Sequence, residues 1–386
     1  MGKWKMRKLG SLTQIQLGKT PARKTARFWD PHQTSNNVLL SIADLTHGQI
    51  AFDSKEYISN EGASLCKIVP QGTMMMSFKL SIGRVAFAGC DLYTNEAIAS
   101  FVNLSSEINQ RYLYYYLTFF DWEAATEGEE KVKGKTLNKA KLKELPVFFP
   151  PLPEQKRLVA KLDLAFGELA RARGLLERGL VLAGELYTSS IENLLQRKQQ
   201  WKYLPMKSIC TLINGRAYKK KELLDDGKYM VLRVGNFFTN KHYYYSNLEL
   251  NEDKYCDEGD LLYAWSASFG PRIWEGDKVI YHYHIWKVVP DYKVVTRDFL
   301  YLLLDWDKER IKTEHGAGTT MVHVSKRAME ARVLPIPSIE EQKRIVQAAT
   351  QIRAQTQSLQ THYTHQLSLV EELRQSLLGR AFAGAL

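Results

Sequence analysis

Basic and polar side chains gather in short clusters on segments without a regular apolar pattern. Lysine and arginine bind phosphate oxygens, whereas serine, threonine, asparagine and histidine offer hydrogen bonds to base edges. A single exposed lysine is most often only a solvated surface charge, so the prediction of a nucleic-acid interface depends on the clusters. The predicted contacts are Lys19, Lys79, Ser81, Arg84, Lys131, Lys133 and Lys135 in the first half of the chain, and Lys219, Lys220, Lys221, Arg233, Asn236, Ser266, Ser268, Arg272, His282, His284, His315 and Thr319 in the second.

Some of these residues have alternative roles. Arg233 and Asn236 lie beside a predicted strand and could close a turn instead. His282 and His284 share one face of a strand, as a metal-binding pair would, but no third ligand lies near them. We therefore expect no metal site.

Catalytic motifs are missing from the sequence. Residues 128–136 resemble a phosphate-binding loop, but five residues separate its glycines, one more than that loop has. Methyl transfer to adenine needs an Asn- or Asp-Pro-Pro-aromatic tetrapeptide, and the only Pro-Pro pair follows Phe149. With no nucleophile beside a general base, we predict no catalytic residue and no cofactor in this chain.

The chain repeats itself at a separation of about half its length. Glu-Gln-Lys-Arg follows a proline-rich step at Glu154 and again at Glu341, 187 residues later. The hydrophobic runs 72–78 and 259–265 lie at the same separation. This period is too long for a solenoid repeat. It predicts a duplicated domain with pseudo-two-fold symmetry.

Composition limits the partner and the compartment. The 386 residues carry a formal net charge of +11, which favours a polyanionic partner such as nucleic acid. The chain has no apolar run long enough to span a membrane and no secretory signal pattern. Its four cysteines lack metal-site or disulfide-scaffold spacing. We expect a cytoplasmic protein without a membrane partner.

Both halves show an α+β pattern of short apolar runs. Residues 111–120 fit either a short helix or a buried strand, and 123–135 are predicted to be a loop. The pattern returns from Trp201 to about Pro337. The predicted strands of the first half are 38–42, 65–69, 73–78, 84–88 and 97–102.

Two long helical stretches follow the two α+β segments. Pro153 suits the first turn of one helix, and Ser338 with Glu341 forms a capping-box pattern at the other. Their apolar residues follow heptads, which favour an antiparallel coiled coil over two helices packed on separate cores. The seams are Leu162, Ala165, Leu169, Ala172, Leu176, Gly179, Ala183 and Leu186 in the first helix, and Ile345, Ala349, Ile352, Thr356, Leu359, Tyr363, Gln366, Val370, Leu373 and Leu377 in the second.

Together, these motifs resemble the specificity subunit of type I restriction-modification systems. The resemblance depends on the duplicated proline step into Glu-Gln-Lys-Arg, on the hydrophobic runs leading to 81–84 and 268–271, and on the closing segment 377–384. It implies two target-recognition domains that bind the halves of a bipartite sequence in double-stranded DNA, separated by a coiled coil that sets the gap. One departure is Pro271, which replaces the basic residue at Arg84, so Arg272 would supply the second cation.

The resemblance also implies partners. Two methyltransferase subunits would dock on the helices, restriction (motor) subunits would complete the complex, and S-adenosylmethionine, ATP and magnesium would bind those partners. The specificity subunit itself would do no chemistry. For the glutamates of the repeated motif, helix capping is the alternative role. The predicted docking residues are Glu154, Gln155, Lys156, Arg157, Glu341, Gln342, Lys343 and Arg344.

The sequence thus predicts four segments. They are target-recognition domain 1 (1–150), a central helix (151–199), target-recognition domain 2 (200–337) and a C-terminal helix (338–386). Two other functions are considered, a self-contained DNA-modifying enzyme and a tandem RNA-binding or scaffold protein. The missing catalytic motifs count against the enzyme.

Overall fold

The computed structural model divides the chain into two compact units. Unit 1 comprises Met1–Leu176 and Gln366–Leu386, and unit 2 comprises Glu177–His365. Each boundary between the units falls within a long helix. The four segments predicted from the sequence are instead divided at the helix ends. The structure describes residues 4–46, 48–126, 130–131, 134–135, 137–196, 200–238, 242–266, 269–315 and 323–386, with the backbone alone at 130–131, 134–135 and His315.

The α+β part of unit 1, residues 4–150, is called head 1. Its helices are α1 (Leu9–Leu12), α2 (Asn60–Ser64), α3 (Gln110–Phe119), α4 (Trp122–Ala125) and α5 (Lys139–Glu144). Its strands are β1 (Lys5–Lys8), β2 (Gln14–Leu17), β3 (Leu39–Leu40), β4 (Ile50–Ala51), β5 (Met74–Ser77), β6 (Val85–Ala88), β7 (Tyr93–Thr94), β8 (Ile98–Val102), β9 (Glu130–Lys131), β10 (Gly134–Lys135) and β11 (Pro146–Phe149).

A five-stranded sheet of order β2-β8-β5-β6-β4 forms the centre of head 1. The runs predicted at 73–78, 84–88 and 97–102 are confirmed as β5, β6 and β8. The run of tyrosines after residue 111 is helical and packs on this sheet as α3. Tyr112 and Tyr116 are buried, and their hydroxyls donate to the carbonyls of Phe148 and Pro146 at 2.9 Å. These bonds tie the helix to β11.

Three local predictions for head 1 were wrong. Residues 65–69 do not form a strand, because α2 ends at Ser64 and only Val69 makes an isolated bridge. The run at 38–42 yields the two-residue β3 before a 3-10 turn begins at Ile42. The segment 123–135, predicted as a loop, contains most of α4 and the β9–β10 hairpin.

The α+β part of unit 2, residues 200–337, is called head 2. The helix after head 1, α6 (Leu152–Leu195), precedes it. The helices of head 2 are α7 (Val234–Phe238), α8 (Arg297–His315) and α9 (Lys326–Glu330). Its strands are β12 (Lys202–Pro205), β13 (Cys210–Asn214), β14 (Tyr229–Leu232), β15 (Tyr244–Ser246), β16 (Tyr255–Cys256), β17 (Leu261–Ala264), β18 (Gly270–Ile273), β19 (Val279–Tyr281), β20 (Ile285–Pro290) and β21 (Val333–Ile336).

The strand order of head 2 repeats that of head 1. The sheet β13-β20-β17-β18 corresponds to β2-β8-β5-β6, and the pair β12–β21 corresponds to β1–β11. Each head has a glycine at an equivalent position, directly after the first strand of its main sheet. A Cβ on Gly18 would lie 2.2 Å from the Thr94 carbonyl oxygen, and one on Gly215 would lie 2.3 Å from that of Tyr281. At both positions two backbone segments therefore lie so close together that only glycine fits between them.

The second long helix is α10 (Ile339–Phe382), and like α6 it has 44 residues. At about 1.5 Å per residue each is roughly 66 Å long. The predicted helix starts are close to those observed. The Ser338 hydroxyl accepts a hydrogen bond from the Glu341 N–H at 3.3 Å, which supplies one half of the predicted capping box.

Within each unit, α6 and α10 run antiparallel. In unit 1 the Arg374 guanidinium lies 5.4 Å from the centre of the Phe166 ring. In unit 2 the Arg353 guanidinium donates to the Tyr187 hydroxyl at 2.6 Å. The Tyr363 ring fills the space beside Gly179, where a Cβ would lie only 2.7 Å from it. A small residue of α6 therefore faces a large residue of α10 at this position.

Most predicted seam positions are buried or half-buried in the structure. Leu186, Leu359 and Leu373 differ, with exposed fractions of 50%, 40% and 49%. The heptad assignment is wrong for these three leucines, because a strict seven-residue repeat drifts around a helix of 3.6 residues per turn. Of the described helices, none combines the length and apolar character needed to cross a bilayer.

Candidate nucleic-acid interface

In head 1, the predicted contacts come from loops at one end of the sheet. Lys19 follows β2, and its N–H donates to the Thr94 carbonyl at 2.8 Å. Lys79, Ser81 and Arg84 belong to the loop between β5 and β6. The charge of Lys79 helps to lower the pKa of Glu96, which lies in the turn after Thr94. The structure thus brings four predicted contacts onto neighbouring loops.

The β9–β10 hairpin starts and ends beside the same loops. Trp122 of α4 packs on Gly83, and the Leu137 N–H donates to the Phe78 carbonyl at 3.0 Å. The backbone of Lys131 and Lys135 is described in the hairpin, whereas Lys133 lies outside the described residues. The hairpin is therefore anchored at both ends next to the loop that holds Lys79 and Arg84.

In head 2, the turn between β19 and β20 is the centre of a similar loop cluster. The His282 N–H donates to the Leu232 carbonyl at 2.9 Å, beside Arg233. The Tyr283 N–H donates to the Arg216 carbonyl at 3.1 Å. The exposed residues Lys219, Lys220 and Lys221 follow in the same segment as Arg216.

Several of the predicted cations have no acidic partner. Among described residues, no carboxylate forms an ion pair with Lys19, Lys79, Arg84, Lys219, Lys220, Lys221 or Arg233. Many other cations in the heads are paired, as Arg23 is with Glu56 and Arg111 with Asp163. An unpaired cation on an exposed loop can bind phosphate without first breaking an ion pair.

Three predicted contacts instead lie buried in the framework or are bonded to it. Asn236 is buried, accepts from the Arg233 N–H at 3.4 Å and donates to the His242 carbonyl at 2.6 Å, so it closes the turn. Ser266 is also buried. Arg272 donates to the Phe237 carbonyl at 2.5 Å from a half-buried position. As base contacts these three predictions are corrected, because the side chains are turned into the protein.

Some predicted contacts lie outside the described residues. They are Ser268 and Thr319, together with the side chain of His315, whose backbone ends α8. The sequence did not single out four aromatic or imidazole residues of the head 2 cluster, namely Tyr283, Trp265, His242 and His323. These four residues were missed because the residues around them come from distant segments of the chain. For Tyr283 alone the sequence gave a hint, since the predicted contacts His282 and His284 flank it.

The two predicted histidines lie against each other and against Arg233. Their rings are 4.9 Å apart. Burial, with help from His284 and Arg233, lowers the pKa of His282 to about 4. Burial and His323 also lower the pKa of His284. His282 is therefore uncharged at neutral pH and offers one donor and one acceptor nitrogen.

The described residues contain no group of three or more metal-ligating side chains. All four cysteines are free thiols. Burial raises the pKa of Cys210 to about 12, so this thiol stays protonated and unreactive.

The long helices are fixed to their heads by a buried glutamine. Gln155 accepts from the Asn109 N–H at 2.8 Å and donates to the carbonyls of Glu107 (2.8 Å) and Pro150 (2.9 Å). Its side chain thus joins the loop before α3, the proline step and the first turn of α6. We call this set of three bonds the glutamine clamp.

Unit 2 contains the same clamp at positions 187 residues later. Gln342 accepts from the Thr296 N–H at 2.8 Å and donates to the carbonyls of Val294 (2.9 Å) and Pro337 (3.0 Å). Both glutamines are fully buried. The prediction that Gln155 and Gln342 dock a partner is therefore corrected.

The other predicted docking residues are at least partly exposed. Lys156 and Lys343 lie on the surface. Arg157 donates to both Glu154 carboxylate oxygens, at 2.6 and 2.7 Å, and to the Leu386 carbonyl at 2.8 Å. Arg344 lies 3.4 Å from Glu341. These pairs leave charged groups accessible on the first turns of both helices.

With this geometry in view, comparison with known proteins identifies the family. Residues 1–171 and 198–368 each match the type I restriction modification DNA specificity domain. The chain belongs to this family. The two matched segments reproduce the internal duplication seen in the sequence and in the strand order.

Similar curated proteins carry specificity-subunit names. The chain is 24% identical over 204 residues to the type I restriction enzyme EcoBI specificity subunit of Escherichia coli, an alignment covering 52% of this chain and 43% of that relative. It is 26% identical over 269 residues to a putative type I restriction enzyme specificity subunit of Haemophilus influenzae, covering 67% and 68%. The chain thus spans less than half of the E. coli relative.

Solved structures show the same fold. A chain from a study of complex assembly and conformational transition of the type I R-M system aligns with a TM-score of 0.80 at 16% identity, covering 99% of this chain and 98% of that one. The HsdS subunit from Thermoanaerobacter tengcongensis gives 0.61 at 16% identity, covering 99% and 97%. The predicted α+β fold, with two repeated domains and two long antiparallel helices, is confirmed.

Removing the clamp should destabilise the unit that contains it. Gln155→Ala leaves the Asn109 N–H and two carbonyls without their partner, at a cost of about 1–3 kcal/mol for each buried group left unpaired. Gln342→Ala should have the same effect in unit 2. The measurement is the free energy of unfolding in guanidinium. Gln351→Ala, at an exposed site on α10, should change it by less than about 0.5 kcal/mol. An unchanged free energy in Gln155→Ala would contradict the clamp.

The half-buried His282 should make stability depend on pH. Its pKa falls from 6.5 in the unfolded chain to about 4 in the fold, so the unfolded chain binds more protons between these values. Stability should therefore fall as pH drops from 6.5 towards 4. In His282→Phe this decline should be shallower, as measured by melting temperature against pH. Tyr283→Phe, which keeps both imidazoles, should retain the wild-type slope, and equal slopes in all three proteins would refute the assignment.

Proposed function

We propose that this chain is the sequence-specific DNA-recognition subunit of a type I restriction-modification complex. Each head binds one half of a bipartite target, and the paired helices set the gap between the halves. The observation that carries this proposal is the duplication of a whole α+β unit, with loops in both copies whose cations form no ion pair with a described residue. Membership of the DNA specificity family supports the same function.

The cations and the polar loop residues have different roles in DNA binding. Lys19, Lys79, Arg84 and the lysines 219–221 neutralise phosphates and set the position of each head on the duplex. Base edges are contacted by the side chains between these cations. The net charge of +11 favours association with DNA at low salt.

Chemistry belongs to the partners in this proposal. Two methyltransferase subunits dock on the first turns of α6 and α10, where Glu154, Lys156, Arg157, Glu341, Lys343 and Arg344 are partly or fully exposed. Restriction (motor) subunits complete the assembly. S-adenosylmethionine, ATP and magnesium bind those subunits, and the chain alone has no catalytic activity. Assembly takes place in the cytoplasm.

Methylation mapping tests the function. A host that expresses this chain with its methyltransferase subunit should carry methylated sites with two specified halves and a fixed unspecified gap. Removing residues 168–174 and 366–372 together shortens both helices by seven residues, or about three base pairs of duplex. The gap should shrink accordingly. Removal from α6 alone is the control and should abolish methylation, because the helices lose their register. An unchanged gap after the double deletion would refute the ruler.

The lysines of head 2 should act through salt-dependent binding. If each of Lys219, Lys220 and Lys221 contacts a phosphate, replacing all three with alanine should reduce the slope of log K against log salt by about three. Replacing the three exposed lysines of α5 (Lys139, Lys141 and Lys143) removes the same charge outside the predicted interface and should change the slope less. Binding of labelled duplex DNA at several salt concentrations measures both. Equal slopes for the two variants would contradict this interface, and stronger competition by structured RNA would favour an RNA-binding protein.

A further inference from the structure

A small cavity in head 2 lies among the predicted base contacts. Its volume is about 180 Å³, and it is lined by the first residues of α7, by His242 and by the turn between β19 and β20. Aromatic rings stand around it, because Tyr244 packs against His242 and Tyr218 against His282. The lining residues are Arg233, Val234, Gly235, Asn236, His242, His282 and His284.

The arginine of this cavity is a hydrogen-bond donor with no acidic partner among the described residues. The Arg233 guanidinium is held 5.4 Å from the centre of the Tyr244 ring and makes no ion pair with a described residue. The Asn236 side-chain oxygen is used by the Arg233 N–H. The seven described lining residues include no carboxylate. A ligand group that contacts the Arg233 fork therefore needs to bring acceptors.

One contact favours a particular tautomer of His282. Its Nδ1 faces the backbone N–H of His284 at 3.5 Å, an arrangement that favours the neutral ring with its proton on Nε2. That N–H is a further donor beside the arginine fork. The exposed lysines 219–221 are available for phosphate contacts, which leaves the Arg233 fork for a base edge.

We propose that Arg233 and His282 recognise the acceptor edge of a guanine in the half-site bound by head 2. In the major groove guanine presents two acceptors, O6 and N7, which match the fork of one arginine, whereas adenine presents one acceptor and one donor. The His282 N–H supplies a third donor, which contacts the same base or its neighbour. This inference depends on the proposed function and adds to it the base that one head prefers.

Methylation mapping with paired variants tests the assignment. In Arg233→Lys the positive charge remains but the fork is lost. In His282→Phe the ring remains but the donor is lost. In each variant the preference for one G·C pair in one half of the target should fall by at least about tenfold, as expected for a lost bidentate contact. The half bound by head 1 should be unchanged, and it serves as an internal control. His365→Gln, at an exposed site on α10, should leave both halves unchanged.

Three outcomes would overturn the proposal. One is a target that keeps every base preference in both variants, which would leave the proposed function intact. Another is a uniform loss of methylation at all sites without a change of sequence, which would make Arg233 a phosphate contact. The third is the absence of any split target in the wild-type protein, which would overturn the proposed function as well. Melting temperatures within a few degrees of wild type would show that the variants fold.

Discussion

The orientation of each long helix on its head depends on one buried amide side chain. Gln155 satisfies a backbone N–H and two carbonyls that come from two separate segments, the loop before α3 and the proline step, and Gln342 does the same in the other unit. A buried polar group that completes a network in this way fixes geometry, because any other arrangement would leave backbone groups unpaired. The proposed function, in which the paired helices set the gap between two half-sites, requires such a rigid joint between each helix and its head.

The two heads share a framework and differ in the loops that it supports. Gly18 and Gly215 bring corresponding backbones together, next to the turns that hold Glu96 in one head and Tyr283 in the other. In head 1 the turn presents a carboxylate, which accepts a hydrogen bond from Thr20 and has a lowered pKa for that reason. In head 2 it presents a tyrosine between two imidazoles. In the proposed function, different hydrogen-bonding groups at equivalent positions suit two half-sites that differ in sequence.

The repeat, the heptads and the proline steps predicted the architecture well, because each of these signals can be read from the order of residue types along the chain without knowledge of tertiary contacts. The prediction of a strand at 65–69 was wrong because its apolar residues lie in the turn after α2 and not in a sheet. The exposed position of Leu373 was missed because a strict heptad ignores the drift of a straight helix. The cavity around Arg233 could not be predicted, since His242, His282 and Tyr218 meet there only through the pairing of distant strands. The buried position of Gln155 was equally hidden, because its motif is otherwise charged and its partners lie in loops.

The contact between Gly179 and Tyr363 also bears on self-association. Because α6 and α10 are repeats of one another, two copies of the protein could in principle exchange helices or pair like with like. In a pairing of α10 with a second α10, the position opposite Tyr363 would be taken by Gln366, the equivalent of Gly179, and the ring would have no space. The asymmetry of this seam thus favours partners within one chain over mispaired dimers. A gene duplication that kept two identical helices would lack this protection.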